Sequence, residues 1–241
     1  MPHTRRAVLT LAAAAALAAC APAPPRPAPP PNPEPRLSPF RAALRDLGIA
    51  TPATGKAILV NIPSFEVLAL EDGEPVLRSR AIVGTAADPT PEMETHVSVV
   101  RFRPRWRPTP EMVASGEYED RVWPPGRRNP LGLAAIRLEP GLLIYLHDTN
   151  QPRLFEREMR ALSHGCIRVE RWDELVAWVL DWDLEEVHRA AEGSRTFDAP
   201  APPIPVLVRY HRVFPDETGR PVRHPDPYDR DGAPPPARAR G

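Results

Sequence analysis

The 241-residue sequence predicts a mainly β protein with a sandwich or barrel-like core and a few short helices. Three observations carry this expectation. Apolar, β-branched runs of five to seven residues recur through the middle of the chain. Prolines and glycines separate them, 35 and 13 in number, and so punctuate the chain into short strands. Helical periodicity is clear only late, where Trp172, Leu175, Val176 and Val179 recur at three-to-four spacing.

The elements follow in order. His3, Arg5 and Arg6 precede an apolar stretch from Ala7 to Ala19, the pattern of an export signal over residues 1–19. Thr4-Arg5-Arg6-Ala7-Val8-Leu9 also has the look of a twin-arginine export motif, so Sec and Tat export both stay open. The stretch ends in Leu17-Ala18-Ala19-Cys20, which resembles a bacterial lipobox and implies Cys20 as a lipidated first residue. Ala21 after it is permissive for transfer to an outer membrane, so the resemblance implies a lipid anchor on the periplasmic face of the envelope. About half of the residues in 20–39 are proline, a composition that cannot bury a core and spans on the order of 60 Å as an extended spacer. The folded part is expected over residues 40–231 as one domain, opening with a short helix at Arg41–Leu47. Strands are expected at Ala57–Ile62 and Phe65–Leu70. Asp72-Gly73 then supplies a hairpin turn before a strand over Val76–Val83. Further strands are expected at Val97–Phe102, Leu142–His147 and Val206–Val213. Two helices follow Cys166, the second opened by Asp183 as N-cap and closed at Gly193. Residues 232–241 are rich in Pro and Arg and read as a disordered tail.

Composition excludes some functions. Thirty-one basic residues balance thirty-one acidic ones, which gives no electrostatic argument for nucleic acid. Neither Cys-x-x-Cys nor His-Glu-x-x-His spacing occurs, so no metal site is expected from His147, His164 and Cys166. The chain has two cysteines, and if Cys20 is lipidated, Cys166 has no partner. A lone thiol in an oxidising compartment is better explained by chemistry than by packing.

That thiol lies in Ser163-His164-Gly165-Cys166-Ile167-Arg168, and His147 closes the apolar run before it. One Cys with separate His residues is a candidate nucleophile–base pair. Cys166 is the candidate nucleophile and His147 the general base. A backbone carbonyl or Asp148 would orient the imidazole as third member. Gly165 and Cys166 offer backbone N–H groups for an oxyanion, because glycine lets the chain pass close to a reacting carbonyl. His164 and Ser163 are expected to shape the loop. Arg168 either binds a substrate carboxylate or locks the loop by an ion pair. Trp106, Trp123 and Tyr145 either line the cleft or pack in the core, and His96, His188 and His211 are expected to be structural.

These residues, with Tyr145-Leu146-His147-Asp148-Thr149 upstream, resemble the L,D-transpeptidase (YkuD) catalytic domain. Ile58-Leu59-Val60-Asn61-Ile62-Pro63, Ile82-Val83-Gly84 with Pro89-Thr90-Pro91, Asn129-Pro130-Leu131-Gly132 and Asp226-Pro227-Tyr228-Asp229 extend the likeness. The resemblance implies a YkuD-like core and a cysteine acyltransferase that needs no cofactor. It also implies peptidoglycan stem peptides as substrate, with a stem amine, an envelope-protein lysine or water as acceptor. The stretch from Trp106 to His147 is short for the capping subdomain of larger relatives, and Arg103-Pro104-Arg105-Trp106 replaces their Asn-Pro-x-Trp element.

Overall fold

The computed structural model describes residues 37–232. The export signal, Cys20, the linker up to residue 36 and the tail from residue 233 lie outside the described residues. The chain forms α1 (Pro39–Asp46), β1 (Lys56–Asn61), β2 (Glu66–Glu71), β3 (Glu74–Gly84) and β4 (Met93–Phe102). Helix α2 (Pro110–Ala114), β5 (Ala134–Leu138), β6 (Tyr145–His147), β7 (Ala161–Ser163) and β8 (Ile167–Val169) follow. The last part holds α3 (Trp172–Leu180), α4 (Leu184–Glu192), β9 (Phe197–Pro200), β10 (Pro205–Arg209), β11 (Val213–Pro215) and β12 (Pro221–Arg223). The mainly β expectation therefore holds.

The strands run β10-β1-β2-β3-β8-β6-β5-β4-β9, and a further β10–β4 pairing closes the order on itself like a barrel. Closure joins distant parts of the chain, because β10 lies parallel to β1 with Ile58 opposite Val206 and Val60 opposite Val208. Alternate residues of β1 and β2 serve two cores. Ile58, Val60, Val67 and Ala69 join the main core with Val100, Leu146, Ile167 and Val206, and Leu175, Val176 and Val179 of α3 pack on it. Ala57, Leu59, Leu68 and Leu70 face a second core closed by Phe40 and Leu44 of α1 and by Phe214. A strand buried on both faces reads as a continuous apolar run, which is why these two strands stand out in the sequence. Burying each large side chain is worth about 1.5–3 kcal/mol.

Local chemistry sets the boundaries. Asp72 (φ 50°) and Gly73 (φ 78°) form the β2–β3 turn with both residues left-handed, the geometry that suits a two-residue hairpin. Ser38 caps α1 by accepting from Arg41 N, and Asp183 caps α4 by accepting from Glu186 N at 2.7 Å. Two expected strands are shorter than their apolar runs. Val206–Val213 divides at Arg209, because the Asn61 side chain takes both backbone groups of His211 (2.9 and 3.0 Å) in place of a ladder partner. Leu142–Ile144 is loop, following Gly141 at φ 96°, and Leu143 is 71% exposed. The strand that remains carries His147.

Candidate active site

Strands β6 and β8 lie side by side and parallel, with Leu146 opposite Ile167 and His147 opposite Arg168. Leu146 and Ile167 are fully buried in the core. Strand side chains alternate between faces, so Tyr145, His147 and Arg168 share the opposite face, with Cys166 just ahead of β8. The pleat thus brings together residues that lie about twenty positions apart in the chain.

His147 is 5% exposed, and its Nδ1 donates to the backbone carbonyl of Asp148. A carbonyl only accepts, so this contact places the proton of the neutral ring on Nδ1 and leaves Nε2 as the basic atom. Burial, reinforced by the Arg168 charge, depresses the imidazole to about 3, against the pull of the Asp148 and Leu131 carbonyls. The ring is neutral at any ordinary pH. The Asp148 carboxylate does not orient it. Its Oδ2 accepts from Leu133 N at 2.8 Å, and burial raises it to about 6. Of the two orienting groups expected from the sequence, the carbonyl has the contact.

The Cys166 thiol donates to the Leu143 carbonyl at 3.3 Å, and among the described residues no hydrogen bond joins it to His147. Burial pushes the thiol upward, partly offset by the Tyr145 N–H and by Arg168. The resting pair is a thiol and a neutral imidazole rather than an ion pair. The turn before it is pinned from both ends. Ser163 Oγ donates to the Cys166 carbonyl at 2.5 Å, and Thr85 N donates to the Ser163 carbonyl at 2.9 Å. Gly165 adopts φ 97°, which a side chain rarely tolerates, and a Cβ there would meet Ile144 Cδ1 at 3.3 Å.

His164 turns to Glu117, its Nε2 2.8 Å from the carboxylate, and its ring stands edge-on to Tyr118. That engagement suits the loop-shaping role. Tyr118 also packs edge-on against Trp106 and Trp123, which pair across an isolated antiparallel bridge. The short stretch after β4 is therefore a small flap that reaches the flank of the thiol loop. Arg168 contacts Gln151 Oε1 at 3.2 Å and Thr149 Oγ1 at 3.5 Å. Among the described residues it has no carboxylate partner, and burial holds its pKa below the usual arginine value. The alternative of an ion-pair lock thus has no partner here. His188 pairs with Asp173 at 2.8 Å.

Glu117, Tyr118 and the Leu143 carbonyl were not foreseeable: nothing in their local sequence marks them, and folding alone brings them to the loop. A cavity of about 670 Å³ lies beyond Asp148 and Thr149, lined also by Arg127, Trp172 and His188, and does not include Cys166.

The family model YkuD, the L,D-transpeptidase catalytic domain, matches residues 55–223. The chain belongs to this family. A Haemophilus influenzae protein named "Putative L,D-transpeptidase" is 29% identical over 222 residues, 75% of this chain and 45% of the relative. The chain therefore spans just under half the length of that relative. An L,D-transpeptidase structure from Mycobacterium smegmatis aligns with TM-score 0.40 and 16% identity, covering 64% of this chain and 58% of that one. An Enterococcus faecium L,D-transpeptidase C442S mutant gives 0.39 and 15%, covering 64% and 50%. In this L,D-transpeptidase-family domain, His147 and Arg168 lie on β6 and β8, and Cys166 follows the turn that leaves β7 at Ser163.

Proposed function

We propose that the protein is a peptidoglycan L,D-transpeptidase that forms 3→3 cross-links through a thioester on Cys166. The observation that carries this reading is one shared face: a thiol, a neutral imidazole held by a carbonyl, and a guanidinium that has no carboxylate partner among the described residues. Cys166 Sγ attacks the carbonyl of the third-position diamino acid in a tetrapeptide stem, and its proton passes to His147 Nε2. The imidazolium then protonates the leaving amine, and D-alanine departs. With the imidazole at about 3, a standing thiolate is disfavoured, so proton transfer accompanies attack instead of preceding it. The backbone N–H groups of Gly165 and Cys166 receive the oxyanion; one such donor is typically worth about 2.7–4 kcal/mol. Arg168 receives a stem carboxylate, since among the described residues no carboxylate is in ion-pair contact with it. The amine of a neighbouring stem attacks the thioester, returns a proton through His147 and frees the thiol. No cofactor enters the scheme. The lipobox-like Leu17–Cys20 supports an anchor at the periplasmic face of the envelope.

The test is mass spectrometry of disaccharide-tetrapeptide muropeptides incubated with the full chain and with Cys166→Ala. Dimers joined through two diamino acids, absent with the variant, are the expected result. Tripeptide monomers alone would assign water as acceptor, or a lysine of an envelope protein missing from the mixture. Products that do not depend on Cys166, or none, would leave a non-catalytic peptidoglycan-binding protein as the reading.

A further inference from the structure

The peptide between Gly165 and Cys166 is held by a residue far away in the chain. Thr90 is fully buried, and its hydroxyl donates to the Gly165 carbonyl at 2.8 Å. The same oxygen accepts from Gly84 N at 2.8 Å, so the hydroxyl proton is committed to Gly165. Thr90 is itself fixed, because its backbone N–H donates to the Tyr228 hydroxyl at 3.0 Å, and Tyr228 stacks on Tyr210. Gly84 makes this approach possible: a Cβ there would lie 2.1 Å from the Asp88 carbonyl and 2.6 Å from Thr90 N.

In a planar trans peptide the C=O and N–H point in opposite directions. A Gly165 carbonyl turned to Thr90 therefore turns the Cys166 N–H the other way, and among the described residues no acceptor meets that N–H. Gly165, at φ 97°, is also the residue at which this peptide would flip most readily, since glycine accepts both signs of φ. A flip would replace the donor with a carbonyl oxygen aimed at the incoming charge.

We propose that Thr90 is a positioning residue of the oxyanion hole. Its hydroxyl locks the Gly165–Cys166 peptide in the orientation that presents the Cys166 N–H to the tetrahedral intermediate. The proposal rests on the acyl-enzyme reading above but is independent of which acceptor is used.

The experiment compares two reactions of the same thiol in the full chain, both followed by mass on the Cys166 peptide. p-Nitrophenyl acetate transfers its acetyl group to Sγ through an oxyanion: the S–C bond forms, p-nitrophenolate leaves, and the thiol proton goes to the base. Iodoacetamide alkylates Sγ by displacement of iodide, with no oxyanion. Thr90→Val should slow acetylation by about 10²–10³-fold, the usual cost of one oxyanion donor, with alkylation unchanged. Thr90→Ser, which keeps the hydroxyl, should restore acetylation. If Thr90→Val does not fold, Tyr228→Phe frees the Thr90 backbone, leaves the hydroxyl in place, and should give a smaller selective loss. Acetylation at the wild-type rate in Thr90→Val, or equal loss of both reactions, would overturn the role of Thr90. A wild-type thiol that is alkylated but never acetylated would overturn the acyl-enzyme reading as well.

Discussion

Gly132 and Gly48 make a matched pair for testing how rigidly the strand that carries His147 is held. Both are left-handed, at φ 65° and 70°. A Cβ on Gly48 meets nothing within 4 Å, whereas on Gly132 it would lie 2.2 Å from Asp148 Oδ2 and 2.5 Å from Asp148 Cβ. Gly48→Ala should therefore cost only the left-handed penalty, about 1–2 kcal/mol. Gly132→Ala carries that penalty and also drives the Asp148 carboxylate off Leu133 N, a charge-assisted bond worth about 1.5–3 kcal/mol. The sum is about 2.5–5 kcal/mol, an excess of about 1.5–3 over Gly48→Ala. The Asp148 carbonyl holds the His147 ring, so only the Gly132 variant should also lose acylation activity. Urea denaturation of both variants with unchanged m-values reads the difference directly. Adding Asp148→Ala to Gly132→Ala should recover only part of the loss, because it removes the carboxylate at 2.2 Å but keeps the Cβ at 2.5 Å. Equal costs for the two glycine variants would refute the reasoning, since Asp148 would then yield freely.

Other predictions concern the flap and the titrating groups. Asn129 is buried and donates to the Pro104, Trp123 and Pro124 carbonyls at 3.0–3.3 Å while accepting from Leu131 N at 2.9 Å. Asn129→Asp should destabilise more than Asn129→Ala, because it turns an acceptor-only group on three carbonyls; thermal melts decide the order. The pH midpoint of Cys166 alkylation should lie above that of an ordinary thiol, and Arg168→Met should move it higher by removing a charge that favours thiolate. Between 6.5 and about 3 the unfolded chain binds a proton at His147 that the folded chain does not, so stability falls as pH falls through that window. Asp148, raised from 3.8 to about 6, acts in the opposite sense, gaining stability as pH falls between those values. Asp148→Asn should therefore steepen the acid loss and His147→Gln should flatten it, as read from denaturation midpoints across the range.

Legibility in the sequence followed physical causes. Strands β1 and β2 showed as unbroken apolar runs because cores lie on both of their faces, and Asp72-Gly73 fits only a left-handed turn. Cys166 and His147 stand out in the sequence because the local motif is chemically specific, and the structure sets His147 opposite Arg168, two positions after Cys166. Strand β9 was hidden, since it ends in Pro200 and is largely exposed, and neither property marks a strand. The run at Leu142–Ile144 misled for the converse reason: its residues are apolar, yet Leu143 serves the thiol with its carbonyl and leaves its side chain in solvent. Thr90 appeared only as part of Pro89-Thr90-Pro91, because its hydroxyl acts on a carbonyl 75 positions away. Glu117 and Tyr118 act by tertiary approach alone.

The parallel pairing of β1 with β10 has a consequence for the order of assembly. Residues 58–61 pair on one side with β2 nearby in the chain, but their partners on the other side come only at 206–209. The pairing spans about 150 residues, and loops of that length close late and slowly. Until β10 arrives, the ring of strands is open on both β1 and β4. The three-residue strands β6 and β8 then lack the finished barrel around them. A nascent chain ending before residue 205 should therefore expose a cysteine without its paired histidine in place. Cys166 and His147, the nucleophile and base of the proposed reaction, would come together only once nearly the whole folded domain has been made.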